Sequence, residues 1–473
     1  MEDNQQNRGK KFVRDLGIYA VGNLGSKLIT FLLVPLYTYF VAPADFGYYD
    51  LCLSVMFVLS PIVSFQRIDG SFRFLIDTSD DDAERRKAVV TFSYKTLILN
   101  CLVAGLASLL IPQSVNWPYR TECVLLLVTI AFYDVVPRIV RGLGQTKYYA
   151  LTGIIASFAI GILSVVFVWW GQMGVKGIFW ANILGRIIAM VAIEFKMKVL
   201  KRYFVPGLYD KEIAKSVLKY CLPILPGTIC WWVVESSSKF FIEHYIGLEQ
   251  NGLFAVAIKF AAILQIIAII FFQAWQENAL QQYHSKDRDS FFSSVFNNYI
   301  YLLSALVVIL PIAIKLNYGW LVDQSYARSA DYISLLAISS MLFALAAFFD
   351  MGYQCSKQTA RALPGVFLAT IICVASNFLL IKPLGVYGVI LSSIISYLVL
   401  LIYRYFDTRK YFRVTISAAS LVSIIVVAVN ALVYQLFDNL WISAIALAVS
   451  LWYFIARIPA EVINSLRRGQ RRS

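Results

Sequence analysis

Apolar segments long enough to cross a lipid bilayer occupy almost the whole of this 473-residue chain. A hydrocarbon core about 30 Å thick requires a helix of about 20 apolar residues, and about fourteen segments satisfy that length. Backbone groups in lipid must form their hydrogen bonds within the chain, so such segments fold as helices. With 59% hydrophobic and only 15% charged residues, the sequence predicts an all-α polytopic membrane protein.

The pattern of basic residues predicts how the chain is oriented. The predicted spans are 14–41, 46–66, 88–112, 118–141, 148–170, 176–199, 214–246, 251–278, 290–316, 328–355, 360–381, 385–405, 412–436 and 439–463. Their even number places both termini on one side, and Lys and Arg concentrate on that side, from Arg8 to Arg472. The positive-inside rule makes it the cytoplasmic face of a bacterial inner membrane. The net charge of +14 then reflects topology and contact with anionic membrane lipids, so nucleic acid is not an expected partner.

The sequence offers few groups for metal binding or covalent catalysis. Its seven cysteines form no CxxC pair, and neither His244 nor His284 has a nucleophile or metal ligand at a recognisable spacing. It has no GxxxxGK[ST] loop for nucleotide phosphates. We therefore predict a transporter with no catalytic residue, no metal and no direct use of ATP.

An internal repeat of about two hundred residues organises the spans. Three pairs of matched positions occur in the same order: Gly47 with Gly252, Gly174 with Gly385, and Gln145 with Gln358. Six spans per repeat give two lobes of like orientation, related by a pseudo-twofold axis along the membrane normal, with a substrate cavity between them. The predicted divisions are a lobe at 1–200, a cytoplasmic linker at 201–213, a lobe at 214–407, and two extra helices with a basic tail at 408–473. A single rigid bundle with a decayed duplication is the alternative.

Three stretches near the N-terminus resemble one family. They are Leu16-Gly17-Ile18-Tyr19 through Gly22-Asn23, Pro35-Leu36-Tyr37, and Asp45-Phe46-Gly47-Tyr48-Tyr49. Together with the repeat and the span count, they resemble the polysaccharide-biosynthesis flippases of the multidrug/oligosaccharidyl-lipid/polysaccharide (MOP) exporter superfamily. Fourteen spans resemble the lipid II flippases more than the twelve-helix O-antigen members.

The resemblance implies a V-shaped, two-lobed transporter that works by alternating access. Its implied cargo is an undecaprenyl-diphosphate-linked oligosaccharide, carried from the cytoplasmic to the periplasmic leaflet for surface polysaccharide such as lipopolysaccharide O-antigen. It implies no cofactor beyond coupling to a Na⁺ or H⁺ gradient. We expect a monomer that cooperates with other polysaccharide assembly proteins.

Charged side chains inside the predicted spans are the candidate substrate-binding residues, because each costs at least about 2.5–3.5 kcal/mol at the bilayer centre. Lys27, Arg186 and Lys259 have no acid within four residues on their own helix. They suit a diphosphate, which accepts charge-assisted hydrogen bonds. Lys239 is a further candidate, although it follows Glu235 by four residues and an intrahelical ion pair is an equal alternative. Asp134 and Arg138 have the same spacing and the same alternative.

The remaining candidates are residues that would receive the substrate, bind the coupling ion or bend a helix. Arg67, with Arg73, follows the second span and could receive the diphosphate, or be a solvated loop residue. The candidate ion-coupling acids are Glu235 and Asp350, either of which could instead be a salt-bridge partner. Proline removes a helical hydrogen bond and kinks the helix, so Pro35, Pro223 and Pro226 are the predicted hinges of spans 1 and 7.

Two other functions compete with a flippase. A drug or cation exporter of the same superfamily should have an acidic, apolar cavity, whereas the isolated charges here are mostly cationic. A membrane glycan polymerase or ligase would need a large periplasmic loop with acid/base residues, and the longest predicted outer loop is only about 316–328.

Overall fold

The structure is a computed structural model that describes residues 29, 31–76, 78, 82–112, 117–436, 445, 448–450 and 452–453. Within these ranges the chain forms helices and the turns that connect them. The prediction of an all-α protein is confirmed.

The helices are numbered here in chain order. They are α1 (Phe31–Phe40), α2 (Pro43–Ser64), α3 (Arg67–Ile76), α4 (Ala83–Leu109), α5 (Arg120–Gly142), α6 (Thr146–Ser164), α7 (Gly174–Met197), α8 (Val199–Tyr203), α9 (Lys211–Cys221), α10 (Leu225–Tyr245), α11 (Leu248–Gln282), α12 (Arg288–Leu316), α13 (Tyr318–Leu321), α14 (Ala330–Phe348), α15 (Asp350–Cys355), α16 (Leu363–Leu384), α17 (Val386–Asp407) and α18 (Ala418–Leu436). A π-helical turn, Val165–Trp170, extends α6.

Eleven helical stretches in the described ranges are long and apolar enough to cross a membrane. The count is 12 if the bent pair α9 and α10 is taken as one span. The predicted count of 14 is not confirmed, since the predicted spans 14–41 and 439–463 lie largely outside the described residues. The chain is a multi-pass membrane protein, and large apolar side chains such as Leu379 and Ile371 are exposed on its surface, as lipid contact requires.

The seventh predicted span is bent rather than straight. Helices α9 and α10 meet at an angle of 41°. Pro223 lies in the break between them, where it has no N–H to continue the helix, and Pro226 lies in the first turn of α10. The predicted bend is therefore present, and its movement during transport stays a prediction.

The helices pack into two compact units, Met1–Ala255 and Val256–Ser473. In the first unit a core of α3, α4, α5 and α7 side chains surrounds residues such as Leu97 and Ile139. In the second unit the indole of Trp275 stacks on Phe348 at 4.3 Å and meets the edge of Phe292 at 4.7 Å. The predicted lobes at 1–200 and 214–407 and the linker at 201–213 stay a prediction.

The matched glycines of the sequence repeat adopt the same local structure. Gly174 and Gly385 have φ values of +55° and +56°, which glycine adopts without steric cost, and each precedes or opens a long helix. Three residues later, a methyl group at Gly177 would press on the Phe167 backbone, and one at Gly388 would overlap the Leu380 carbonyl oxygen. Both segments therefore make a tight turn and bring the next helix against the preceding one.

Candidate substrate-binding site

Lys239 makes an ion pair between two different helices. Its Nζ lies 2.6 Å from Oδ2 of Asp50 on α2 and donates to Ser54 Oγ at 2.9 Å. The two charged side chains are only 14% and 7% exposed. The carboxylate in contact with Lys239 is thus Asp50, not Glu235 one turn earlier on α10, so the predicted intrahelical pairing of Lys239 is wrong. Helical spacing restricts only neighbours on the same helix, and the adjacent α2 supplies a closer acid.

Helix α2 is also clamped to the start of α11. A methyl group at Gly47 would overlap the Leu248 carbonyl oxygen, and one at Gly252 would overlap the Pro43 carbonyl oxygen. Asn251 Nδ2 donates to the Gly47 carbonyl oxygen at 2.7 Å. This crossing lies one helical turn from Asp50, so it fixes α2 where Lys239 reaches it.

Arg186 and Asp134 lie in the first unit and interact electrostatically, while each makes its hydrogen bonds to neutral groups. Arg186 Nη1 donates to the carbonyl and side-chain oxygens of Asn182, both at 2.9 Å, and its guanidinium lies 5.9 Å from the Tyr133 ring centre. Asp134 Oδ2 accepts a 2.6 Å hydrogen bond from Ser60 Oγ. Neither side chain is in a salt bridge among the described residues, so the two charges interact with each other only at longer range.

Asp134 and Arg138 interact electrostatically, but they form no salt bridge among the described residues. Arg138 places its guanidinium 5.6 Å from the Tyr149 ring centre, in a cation–π contact, while Asp134 bonds to Ser60 on α2. The two side chains leave α5 toward different neighbours, which i,i+4 spacing alone does not reveal.

Arg67 is one of the most deeply buried residues of the first unit. It is 1% exposed and opens α3, so the alternative of a solvated loop residue is wrong. Its guanidinium lies over the rings of Phe65 and Phe92, at 5.6 and 5.5 Å from their centres. Burial lowers the pKa of Arg67 to about 10, so the group remains charged at neutral pH.

The second unit contains another ion pair. Arg404 Nη2 lies 3.0 Å from Asp350 Oδ1, and Arg404 Nη1 donates to the Ala346 carbonyl oxygen at 3.1 Å. Arg404 is buried, whereas the Asp350 side chain is 29% exposed, so the acid is a half-buried partner of a buried arginine. This contact favours the salt-bridge alternative for Asp350 over ion coupling.

Of the four remaining predicted residues, the structure describes three. Lys259 on α11 and Glu235 on α10 are half-buried and make further contacts. Pro35 lies within α1, and its carbonyl accepts a 3.0 Å hydrogen bond from Thr38 Oγ1. Lys27 lies outside the described residues.

Asp50 is the functional candidate that sequence reasoning missed. It lies inside the second predicted span, and it is 5% exposed. The criterion that selected Lys239, a charge within an apolar helix, also applies to Asp50. Its pairing with a lysine 189 positions later could not be read from spacing.

Comparisons with known proteins agree on the fold. The first unit is largely matched by a family model described as polysaccharide biosynthesis protein, which aligns with residues 12–276. The fold is similar to lipid II flippase MurJ in an inward closed conformation, with a TM-score of 0.72 and 12% identity over 93% of this chain and 97% of that one. No curated protein is similar enough to match the chain.

Multidrug transporters share the same fold. An inward-facing MATE family transporter of the MOP superfamily gives a TM-score of 0.67 and 13% identity over 81% of this chain and 94% of that one. A Vibrio cholerae MATE transporter gives 0.56 and 11%, over 85% and 96%. At these identities the structural likeness establishes the fold alone. Because the family model covers more than half of the sequence, the chain belongs to the polysaccharide biosynthesis protein family.

Proposed function

We propose that this protein is a flippase that moves an undecaprenyl-diphosphate-linked oligosaccharide from the cytoplasmic to the periplasmic leaflet of a bacterial inner membrane. Family membership supports a role in polysaccharide biosynthesis, and the transporter fold argues against an enzyme. Both termini would be cytoplasmic, as the distribution of basic residues indicates.

The observation that carries the proposal is Arg186. Its hydrogen-bond acceptors are the two oxygens of Asn182, and its aromatic neighbour is Tyr133; all of these groups are uncharged. The Asp134 carboxylate interacts with this guanidinium electrostatically but is not among its hydrogen-bond partners. A guanidinium in an apolar helix that is hydrogen-bonded to neutral groups can bind two phosphate oxygens side by side. Lys239 would contribute a second cation when its contact with Asp50 opens.

The proposed cycle uses the ion pair of Lys239 as an element with two states. With Lys239 on Asp50, α2 and α10 are joined; with Lys239 on a diphosphate, the same helices can separate. A gradient of H⁺ or Na⁺ would supply the driving force, and Glu235 is the remaining candidate acid for that coupling. Protonation of the Glu235 carboxylate, or Na⁺ binding to it, would remove a negative charge one helical turn from Lys239.

The test is a reconstitution assay. Proteoliposomes that contain the purified protein and a fluorescent undecaprenyl-diphosphate oligosaccharide report translocation through quenching of the outer leaflet. We expect Arg186→Gln and Lys27→Ala to reduce translocation at least about tenfold, and Arg186→Lys to retain part of it. Arg202→Gln, which changes an exposed basic residue on α8, is the matched control. Unchanged translocation by both Arg186→Gln and Lys27→Ala would refute the cationic site.

The MATE-like fold supports one second candidate, an ion-coupled drug or cation exporter. The same vesicles, loaded with a cationic dye, separate the two functions. Dye efflux without lipid translocation would replace the flippase proposal.

A further inference from the structure

The guanidinium of Arg67 is buried without the partners that a structural arginine normally has. Its Nε and Nη1 atoms have no hydrogen-bond partner among the described residues, and neither does Oε1 of the adjacent Gln66. Gln66 is itself 5% exposed. Buried polar groups are nearly always paired, so unpaired donors and an acceptor at one point indicate a site that is filled in another state.

The backbone at this point is held in an unusual conformation. Phe65 and Gln66, which connect α2 to α3, have φ values of 47° and 54°, in the left-handed region that residues other than glycine rarely occupy. Two such residues in succession store strain, and strain of this kind is retained where it positions a functional group. Here it turns Arg67 inward over the rings of Phe65 and Phe92.

The chemistry of the group specifies the ligand. The unpaired Nε–H and Nη1–H groups lie on different edges of the guanidinium, so each can donate a separate charge-assisted hydrogen bond to an anion such as a phosphate. The rings of Phe65 and Phe92 contact the guanidinium without neutralising its charge. The site therefore suits a phosphate or diphosphate.

Helix α9 covers this site. A methyl group at Gly70, one turn after Arg67, would overlap Sγ of Cys221 and lie 3.2 Å from Cγ1 of Val217. Val217 and Cys221 form a small buried cluster with Ala214 and Phe92, the residue that stacks on the guanidinium. The last turns of α9 thus seal Arg67 from solvent.

Open space and a helix break lie at the two ends of α9. A cavity of about 380 Å³ separates the first turn of α9 from α4, and Asp210, Ile213 and Ser216 are among its lining residues. At its other end α9 meets the break at Pro223, where the chain bends by 41°. Straightening at that break would draw Cys221 away from Gly70.

The outer face of α9 is suited to a charged headgroup. Lys211, Lys215 and Lys219 are exposed and recur every four residues, so they form one basic stripe. Basic stripes at a membrane surface attract anionic headgroups.

From these observations we propose that Arg67 is a latent diphosphate-binding residue, closed by α9 and uncovered when α9 leaves α3. The inference rests on the proposed function and deepens it, because it names where the carrier headgroup is received before translocation. The lysine stripe of α9 collects the anion, and the opened guanidinium then binds it.

Cysteine labelling tests the inference without a transport assay. The full-length protein, with Cys221 kept and its other six cysteines changed to alanine, is purified in micelles and treated with a maleimide. We expect farnesyl diphosphate to accelerate labelling of Cys221 at least about tenfold and saturably, with farnesol having no effect. In Arg67→Gln the acceleration should be lost, and in Arg67→Lys it should be partly kept.

A wedge at Gly70 supplies an independent variant. Gly70→Ala should increase labelling of Cys221 several-fold without any ligand, because the methyl group displaces the thiol. Gly105→Ala, on α4 with no atom near its methyl position, is the matched control and should label like the parent. Size-exclusion profiles identify variants that fail to fold, and Arg67→Lys then replaces Arg67→Gln.

Each outcome decides the inference. Equal acceleration by inorganic diphosphate would assign a site for the free anion, and acceleration by the prenyl compound alone would assign a lipid headgroup site. No acceleration by either ligand, an equal response in Arg67→Gln, or acceleration by farnesol overturns the proposal. Because nothing is transported, a failed flippase assay with intact Arg67-dependent labelling refutes the proposed function only, and the reverse result refutes only the site.

Discussion

Gly47 of α2 and Gly252 of α11 each leave room for the backbone of the other's helix. A methyl group on Gly47 would overlap the Leu248 carbonyl oxygen, and one on Gly252 would overlap the Pro43 carbonyl oxygen. The contact is reciprocal: the two glycines are a matched pair of the sequence repeat, and Pro43 and Leu248 each precede their glycine by four residues. Equivalent segments of the two repeats therefore contact each other. The glycines allow the close approach of backbones that is common between membrane helices.

Substituting either glycine by alanine should weaken this crossing. The added methyl group has no free space, and overpacking costs about 1–3 kcal/mol. We expect Gly47→Ala and Gly252→Ala to lower the free energy of unfolding by similar amounts, measured by denaturant unfolding in micelles.

The control is Gly153→Ala on α6, where the methyl position is open. It should be neutral or stabilising by up to about 1 kcal/mol, because alanine is the better helix former. An effect at Gly47 no larger than that at Gly153 would contradict the tight crossing.

The sequence predicted helices well and charge partners poorly. Apolar length identified most spans, and the repeat paired Gly174 with Gly385, because both signals can be read from the sequence itself. The partner of Lys239 and the cover of Arg67 depend on how α2 and α9 pack after long intervening segments. The 3.6-residue period carries no information about such contacts.

Removing one member of the Asp50–Lys239 pair should destabilise the protein strongly. Lys239→Met leaves the Asp50 carboxylate buried without a counter-charge, which costs about 3–5 kcal/mol in proteins generally. The double variant Asp50→Asn/Lys239→Met should recover most of that loss, as measured by a double-mutant cycle of unfolding free energies.

The same double variant separates stability from transport. If Lys239 binds the diphosphate, translocation stays at least about tenfold low although the fold is restored. Additive losses in the cycle would show that the two side chains are not coupled. Full translocation by the double variant would remove Lys239 from the substrate site.

The Asp350–Arg404 pair should behave differently, as a structural contact. Asp350→Asn leaves a buried guanidinium whose remaining acceptor among the described residues is the Ala346 carbonyl, and we expect a loss of stability of about 3–5 kcal/mol. Asp350→Asn/Arg404→Met should restore both stability and ion-driven translocation. If stability returns while the response to the ion gradient does not, Asp350 carries the coupling ion.

Removing the charge of Arg67 should raise stability and lower activity, whereas breaking either ion pair should lower stability. A buried ion that lacks partners destabilises the protein, and replacing buried charges by apolar groups of similar volume is often neutral or stabilising by about 1–4 kcal/mol. Arg67→Met is therefore expected to raise the melting temperature of the purified protein while it lowers translocation at least about tenfold. Phe65 and Phe92 already supply apolar surfaces for the methionine side chain, so no cavity should form. A fall in melting temperature together with normal translocation would mean that the guanidinium supports the fold, and that its unpaired nitrogens serve no ligand.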